Sequence, residues 1–138
     1  MAESDTGKTV KAYPWDDAEF IGWMQRFQMF RKTPKDHIIA AVEKVGAMPG
    51  NGSVSMFRFG QSYGFILGVL EGLGIPYQVV PPREWKKEFG LNSDKAKSIE
   101  VCHRLFPELN LKRTERCKTE SDGLAESALI CEWGRRHL

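Results

Sequence analysis

Polar and apolar positions change period several times along the chain, and each change marks an element. "KTVKAYP", residues 8–14, alternates and carries Val10 and Tyr13, which predicts a strand, with Asp5-Thr6-Gly7 as the turn leading in. Phe20, Ile21, Met24, Phe27 and Phe30 then recur at helical spacing behind Asp16 or Asp17 as a cap. "HIIAAVE", residues 37–43, is a continuous apolar run that predicts a strand buried on both faces. A long helix follows from about Ser53 to Leu73, and "IPYQVVP" predicts another strand, ended by Pro81-Pro82. A short helix is predicted around Glu84 to Phe89, and another from Ser93, its cap, to Leu105. "FPELNLKRTERCKTE" reads as a charged loop. The last helix runs from about Ser121 to Arg136 with Ala125, Ala128, Leu129 and Trp133 on its buried side. The order β-α-β-α-β-α-α with buried strands predicts an α/β sandwich around a largely parallel sheet.

The long helix carries an unusual feature. Gly60, Gly64, Gly68 and Gly72 lie four apart, so they share one stripe. Each glycine costs a helix about 1 kcal/mol against alanine, so four together imply a close approach. The sheet surface, a partner helix or a dimer seam would each account for it. Arg58, Gln61 and Glu71 disfavour a membrane-helix reading.

At 138 residues the chain is expected to form a single domain with a proper core, and its composition, 41% hydrophobic and 28% charged, is that of a soluble globular protein. The N-terminus lacks an apolar signal region, and the most apolar stretch, Gly64 to Gly74, is interrupted by Glu71 and is shorter than a span of about 20 residues. A cytoplasmic protein with no membrane contact is the expectation. Net charge is +2 but polarised: acids dominate up to Glu19, whereas Arg83, Lys86, Lys87, Lys95, Lys97, Arg104, Lys112, Arg113, Arg116 and Lys118 form a basic tract. A polyanionic partner or a solvated basic face both fit that asymmetry. Cys102, Cys117 and Cys131 are widely spaced, which suggests neither a zinc site nor a disulfide framework. Cys102 and Cys131 are expected to be small core residues. His103 beside Cys102 is no metal pair, because helix neighbours point apart.

Three carboxylates stand out. Glu43 closes the apolar run, where an acid is costly without a partner. Asp122 and Glu126, four apart, share a face at the start of the final helix. A strand end and a helix start can converge, and such a cluster repels itself unless a cation joins it. A hard ion such as Mg²⁺ prefers oxygen ligands, and paired ions between carboxylates suit phosphodiester cleavage. Asp122 as a helix-start acid and Glu126 as a solvated one are the alternative roles.

The stretch "EKVGAMPGNGSVSMFRFGQSYGFILGVLEGLGIPYQVVPPREWKKEFGL", followed by "DKAKS", "LFP" and "DGLAESALICEWGRR", closely resembles the RuvC-like Holliday-junction resolvases, in particular a phage-associated branch. The likeness runs from about Lys8 to the C-terminus and keeps motif order and spacing. It implies a ribonuclease H-like mixed sheet flanked by helices, a homodimer, Mg²⁺ or Mn²⁺ with no small-molecule cofactor, and symmetric nicking of four-way or branched DNA in recombination or phage DNA processing. By that resemblance Glu43, Asp122 and Glu126 are metal-binding catalytic acids, and Lys86 and Lys95 contact the region of the scissile phosphate. Gly46 to Phe59 resembles the loop and helix start that enter the junction. Met48, Asn51, Phe57 and Arg58 are its DNA-binding candidates, with Lys87 and Lys97 beside the two lysines.

A lysine is a compact charge suited to a phosphate gaining negative charge, although any single one is usually a surface residue. Met48, Met56, Phe57 and Phe59 could stack on unpaired bases, and core packing is the expectation for at least half of them. The chain departs from the family in lacking a "GIDPG" strand, whose aspartate bridges the metal ions. Asp5 falls in a turn, and Asp16 and Asp17 read as helix caps. The resemblance thus describes an N-terminally truncated relative. Three readings follow: an active resolvase with its first strand upstream of Met1, a nuclease-dead binder of branched DNA, or a protein-interaction module that kept the dimer seam. Lys86 and Lys95 beside carboxylates argue against the third.

Overall fold

The computed structural model describes residues 2–3, 9–10, 17–29 and 38–138. Among them are five helices and two small sheets, a mixed α/β arrangement. Strands β1 (Ala2–Glu3) and β2 (Thr9–Val10) form an antiparallel pair, Ala2 opposite Val10. Of the strand predicted over residues 8–14, only Thr9 and Val10 are among the described residues. They join Ala2–Glu3 rather than the main sheet, and the Asp5-Thr6-Gly7 turn lies outside the described residues. Helix α1 is Asp17–Met29; Asp16, Phe30 and the side chain of Phe27 lie outside them too. Phe20 of α1 meets Phe65 with ring centroids 5.9 Å apart.

The main sheet pairs β3 (Ala40–Glu43) in parallel with β4 (Tyr77–Val80), Glu43 opposite Val80. The bonds Ala40 N to Pro76 O at 2.9 Å and Lys44 N to Val80 O at 2.8 Å extend the ladder at both ends. The apolar run is not buried on both faces as its sequence predicts: β3 is half-buried throughout and Ile39 is exposed. The reason is that β3 has a single neighbouring strand among the described residues, and helix α5 (Asp122–His137) packs against it. His37 lies outside the described residues. The contact with α5 is close: a Cβ on Gly134 would come within 3.2 Å of the Ala41 Cβ, so a larger residue there would push the strand and helix apart by a few tenths of an ångström.

Between the strands runs α2 (Ser53–Gly72), which ends in a Schellman motif. Gly74, at φ 64°, donates to Glu71 O at 3.0 Å, and Ile75 donates to Leu70 O at 2.9 Å. Leu70 and Ile75, both buried, are the apolar pair that accompanies this ending. The rest of α2 packs sparsely on the other described elements. Among the described residues nothing lies within 4 Å of where a Cβ would sit on Gly60, Gly64, Gly68 or Gly72, so the stripe does not lie against the β3–β4 sheet.

Pro82 starts α3 (Pro82–Glu88), a position where its missing N–H costs nothing. Helix α4 (Lys95–Leu105) is capped by Asp94, whose carboxylate accepts from Ala96 N at 3.0 Å, rather than by Ser93. Asp94 wins because Asn92 Oδ1 accepts its own N–H at 2.8 Å and sets the preceding turn. Ser121 caps α5. Val80, Trp85, Phe89, Val101, Cys102, Leu111, Ala125, Leu129 and Ile130 form the core, with Ala128 and Trp133 packed against it. Cys102 is buried as expected, but Cys131 is exposed, since it sits on the opposite side of α5 from Ala125 and Leu129. No described helix is long and apolar enough to cross a membrane.

Candidate carboxylate and lysine site

Strand β3 packs against α5, and Glu43, the last residue of β3, lies within range of the charge on Glu126 in the second turn of α5. Glu43 is half-buried there. Trp85 of α3, fully buried, donates its indole Nε1–H to Glu43 Oε2 at 2.9 Å. The next residue, Lys86, reaches Glu126 of α5 with Nζ 3.6 Å from Oε1, and the same Nζ stands 5.3 Å from the Trp85 ring centroid. Burial pushes the Glu43 carboxyl above its usual range, and the charge on Glu126 adds to that push. The Trp85 hydrogen bond and the Lys86 charge oppose it without cancelling it. Glu43, Glu126 and Lys86 are one electrostatic unit.

A helical turn earlier on α5, Asp122 pairs with Lys95 at 3.3 Å. Burial pushes its carboxyl up, but Lys95 and the backbone N–H groups of Asp122 and Gly123 outweigh that and hold it below its usual range. Lys95 is four-fifths exposed, so its end of the pair stands in water.

Helix α3 is held in place by its far end. Glu88 accepts from Arg136 Nη1 at 2.9 Å and pairs with His137. Arg136 also lies over the Phe89 ring at 5.2 Å and His137 stacks on Trp133 at 4.7 Å. Glu132, buried, takes Arg135 Nε at 2.7 Å and Arg136 Nε at 2.7 Å. These two arginines hold its carboxyl down to about 2. The C-terminal turn of α5 thus fixes α3, which fixes Trp85 and Lys86.

The remaining predicted residues lie apart from this unit. Met48 and Asn51 belong to the loop that leaves β3 directly after Glu43, and Asn51 Nδ2 lies 3.6 Å from the sulfurs of both Met48 and Met56. Phe57 and Arg58 open α2. Core packing was expected for at least half of Met48, Met56, Phe57 and Phe59, yet Met48, Phe57 and Phe59 are exposed and Met56 is half-buried. They are on the sparsely packed half of α2 and its approach loop. Lys87 is exposed beside Lys86, and Lys97 sits in the first turn of α4. His103 pairs with Glu120 at 2.6 Å.

Sequence reasoning missed Trp85. The available signal was a tryptophan next to Lys86 in "EWKKEF", since a buried indole needs an acceptor for its N–H. It also missed the Glu88, Glu132, Arg135 and Arg136 network.

Carboxylate oxygens on Glu43, Asp122 and Glu126 are the donor chemistry a hard divalent ion prefers. As the side chains lie, no three His, Cys, Asp or Glu among the described residues form a group that could hold one ion. Lys86 and Lys95 neutralise the α5 carboxylates instead. No family model matches the chain, and no curated protein matches it.

Proposed function

We propose that this chain is a structure-selective DNA-binding protein of RuvC-like descent, with a ribonuclease H-like arrangement, acting on four-way or branched DNA as a homodimer in a bacterial or phage-infected cell. One observation carries this reading: the strand-end Glu43 feels the charges of both the helix-borne Glu126 and Lys86, and Lys86 pairs with Glu126. Two acids brought together at a half-buried edge weaken a fold unless they serve a ligand, and lysines beside them suit a phosphate backbone.

In the nuclease form of this proposal, Glu43, Asp122 and Glu126 would hold Mg²⁺ or Mn²⁺ only after moving closer together than they lie here, and the ion would supply charge stabilisation to phosphodiester hydrolysis. Trp85 occupies one oxygen of Glu43 and so fixes the carboxylate plane. Lys86 and Lys95, beside those carboxylates, would contribute positive charge for a phosphate. Met48, exposed on the loop after β3, and Phe57, exposed in the second turn of α2, offer apolar faces to unpaired bases, with Asn51, Arg58, Lys87 and Lys97 as polar contacts.

A second reading, a binder of branched DNA without nuclease activity, is favoured by a specific pair of observations. No trio of acids among the described residues could hold an ion as placed, and Lys86 and Lys95 already pair with the α5 carboxylates.

A gel assay with a labelled four-way junction and matched linear duplex, each with Mg²⁺, Mn²⁺ or EDTA, separates the two. Metal-dependent symmetric nicks support the nuclease form, and junction-selective binding without nicks supports the second. Equal or absent binding to both DNAs overturns both.

A further inference from the structure

The loop between α4 and α5 has a fixed shape. Leu111, buried in the core, anchors one end, and Ser121 N closes the loop by donating to Leu111 O at 2.8 Å. Inside it, Lys112 N donates to Asn110 Oδ1 at 2.9 Å and Cys117 N donates to Thr114 O at 3.0 Å. Arg113 Nε donates to Ser121 Oγ at 3.2 Å, and its terminal nitrogen lies 4.0 Å from where a Cβ on Gly123 would sit. Glu120 is occupied by His103. The loop is thus registered to the start of α5, where Ser121 caps the helix and Asp122 follows.

Its charge is one-sided. Lys112, Arg113, Arg116 and Lys118 are exposed against a single acid, Glu115, within residues 112–118. Among the described residues none of these four cations is in an ion pair, whereas Lys86, Lys95, Arg135 and Arg136 all have carboxylate partners. Residues 112–120 contain no aromatic or aliphatic side chain. Such a surface offers charge without an apolar pocket, which suits a phosphate backbone better than a peptide.

We propose that residues 112–118 form a phosphate clamp that grips the backbone of the DNA arm passing the start of α5. The inference rests on the DNA-binding function proposed above and adds a surface to it. Because phosphate contacts carry no sequence information, the clamp contributes affinity and register, equally for junction and duplex arms.

The test is a triple variant, Lys112→Ala, Arg116→Ala and Lys118→Ala. Its affinity for a labelled junction and for linear duplex is measured by fluorescence anisotropy across a salt series, beside the unaltered chain. Loss of three phosphate contacts lowers the slope of log affinity against log salt by about 2–3 and weakens binding at least about tenfold at low salt. Junction preference stays as it was, and Lys112→Arg with Lys118→Arg retains binding. Where the triple variant melts early, Lys118→Gln alone carries the test, with a slope change of about 1. Binding by the unaltered chain with an unmoved slope in the variants overturns the clamp alone. No DNA binding by the unaltered chain overturns the clamp and the proposed function together.

Discussion

Trp85 and Glu43, 42 residues apart in the chain, are joined by an indole hydrogen bond of 2.9 Å that ties a core residue to a half-buried acid. The same side chain fills the core and orients the site. Trp85→Phe keeps most of the ring and deletes the donor. It is expected to cost about 1–3 kcal/mol in urea unfolding, from a buried hydrogen bond to a carboxylate. A loss under about 0.5 kcal/mol would mean the bond is not made in solution.

Glu43→Gln acts in the opposite direction. Burial, then Glu126, raises the carboxyl above its usual value of 4.5 despite Trp85 and Lys86. A folded state that binds the proton more tightly than the unfolded state loses stability as pH rises from that usual value through the raised one. Gln removes this penalty and still accepts from Trp85. The variant is expected to melt a few degrees higher at neutral pH, with the gain vanishing well below pH 4.5. Thermal melts at both pH values check it. In the nuclease form, the variant also loses nicking and keeps junction binding nearly intact; unchanged nicking removes Glu43 from the chemistry.

Lys86→Ala and Lys95→Ala separate binding from folding. The Lys95–Asp122 pair is largely exposed at its lysine end, so its loss shifts stability by no more than about 1 kcal/mol. If both lysines meet phosphate, each variant lowers the salt slope of junction binding by about 1. Anisotropy titrations at several salt concentrations give the answer, and an unchanged slope places that lysine away from the backbone.

The glycine stripe of α2 offers a test of assembly. With no described atom within 4 Å of a Cβ on Gly64, Gly64→Ala is expected to stabilise an isolated chain by about 1 kcal/mol through helix propensity. If the stripe is a homodimer seam, as the proposed function requires of some surface, Gly64→Leu forces the helices apart. Analytical ultracentrifugation of the unaltered chain and the leucine variant distinguishes a dimer that dissociates from one that does not.

Glu132 governs the acid limb. Arg135 first, then Arg136, hold its carboxyl at about 2, far below the usual 4.5, so its contribution is present above pH 4.5 and drains away as pH falls toward 2. Glu132→Gln is expected to be less stable than the unaltered chain at neutral pH and nearly equal to it near pH 2. Parallel acid-unfolding curves would display that convergence; a constant gap would rule it out.

Helices were the most legible part of this chain. The ends of α2 and α5 lie within a residue of where the sequence places them, because helical periodicity is a local signal. Pairing was less legible. Alternation in residues 8–14 marks extended chain but does not say which strand will sit beside it, and Thr9–Val10 pairs with Ala2–Glu3. The burial of β3 was overread because an apolar run records what a strand tolerates and not what covers it. At the site, strand end and helix start suggested a cluster of Glu43, Asp122 and Glu126; in the fold Glu43 feels the Glu126 charge, while Asp122 pairs with Lys95. Trp85, Glu88 and Arg136 were not suggested, since their roles exist only once segments more than 40 residues apart are packed together.

The parallel register that sets Glu43 opposite Val80 makes the site self-checking. Side chains alternate faces along a strand, so a slip of one residue would turn Val80, now wholly buried, toward the other face and swing Glu43 away from Trp85 and Glu126. A misregistered molecule would thus spoil its core and its acidic edge in the same step. Molecules with a sound core therefore carry the edge already assembled.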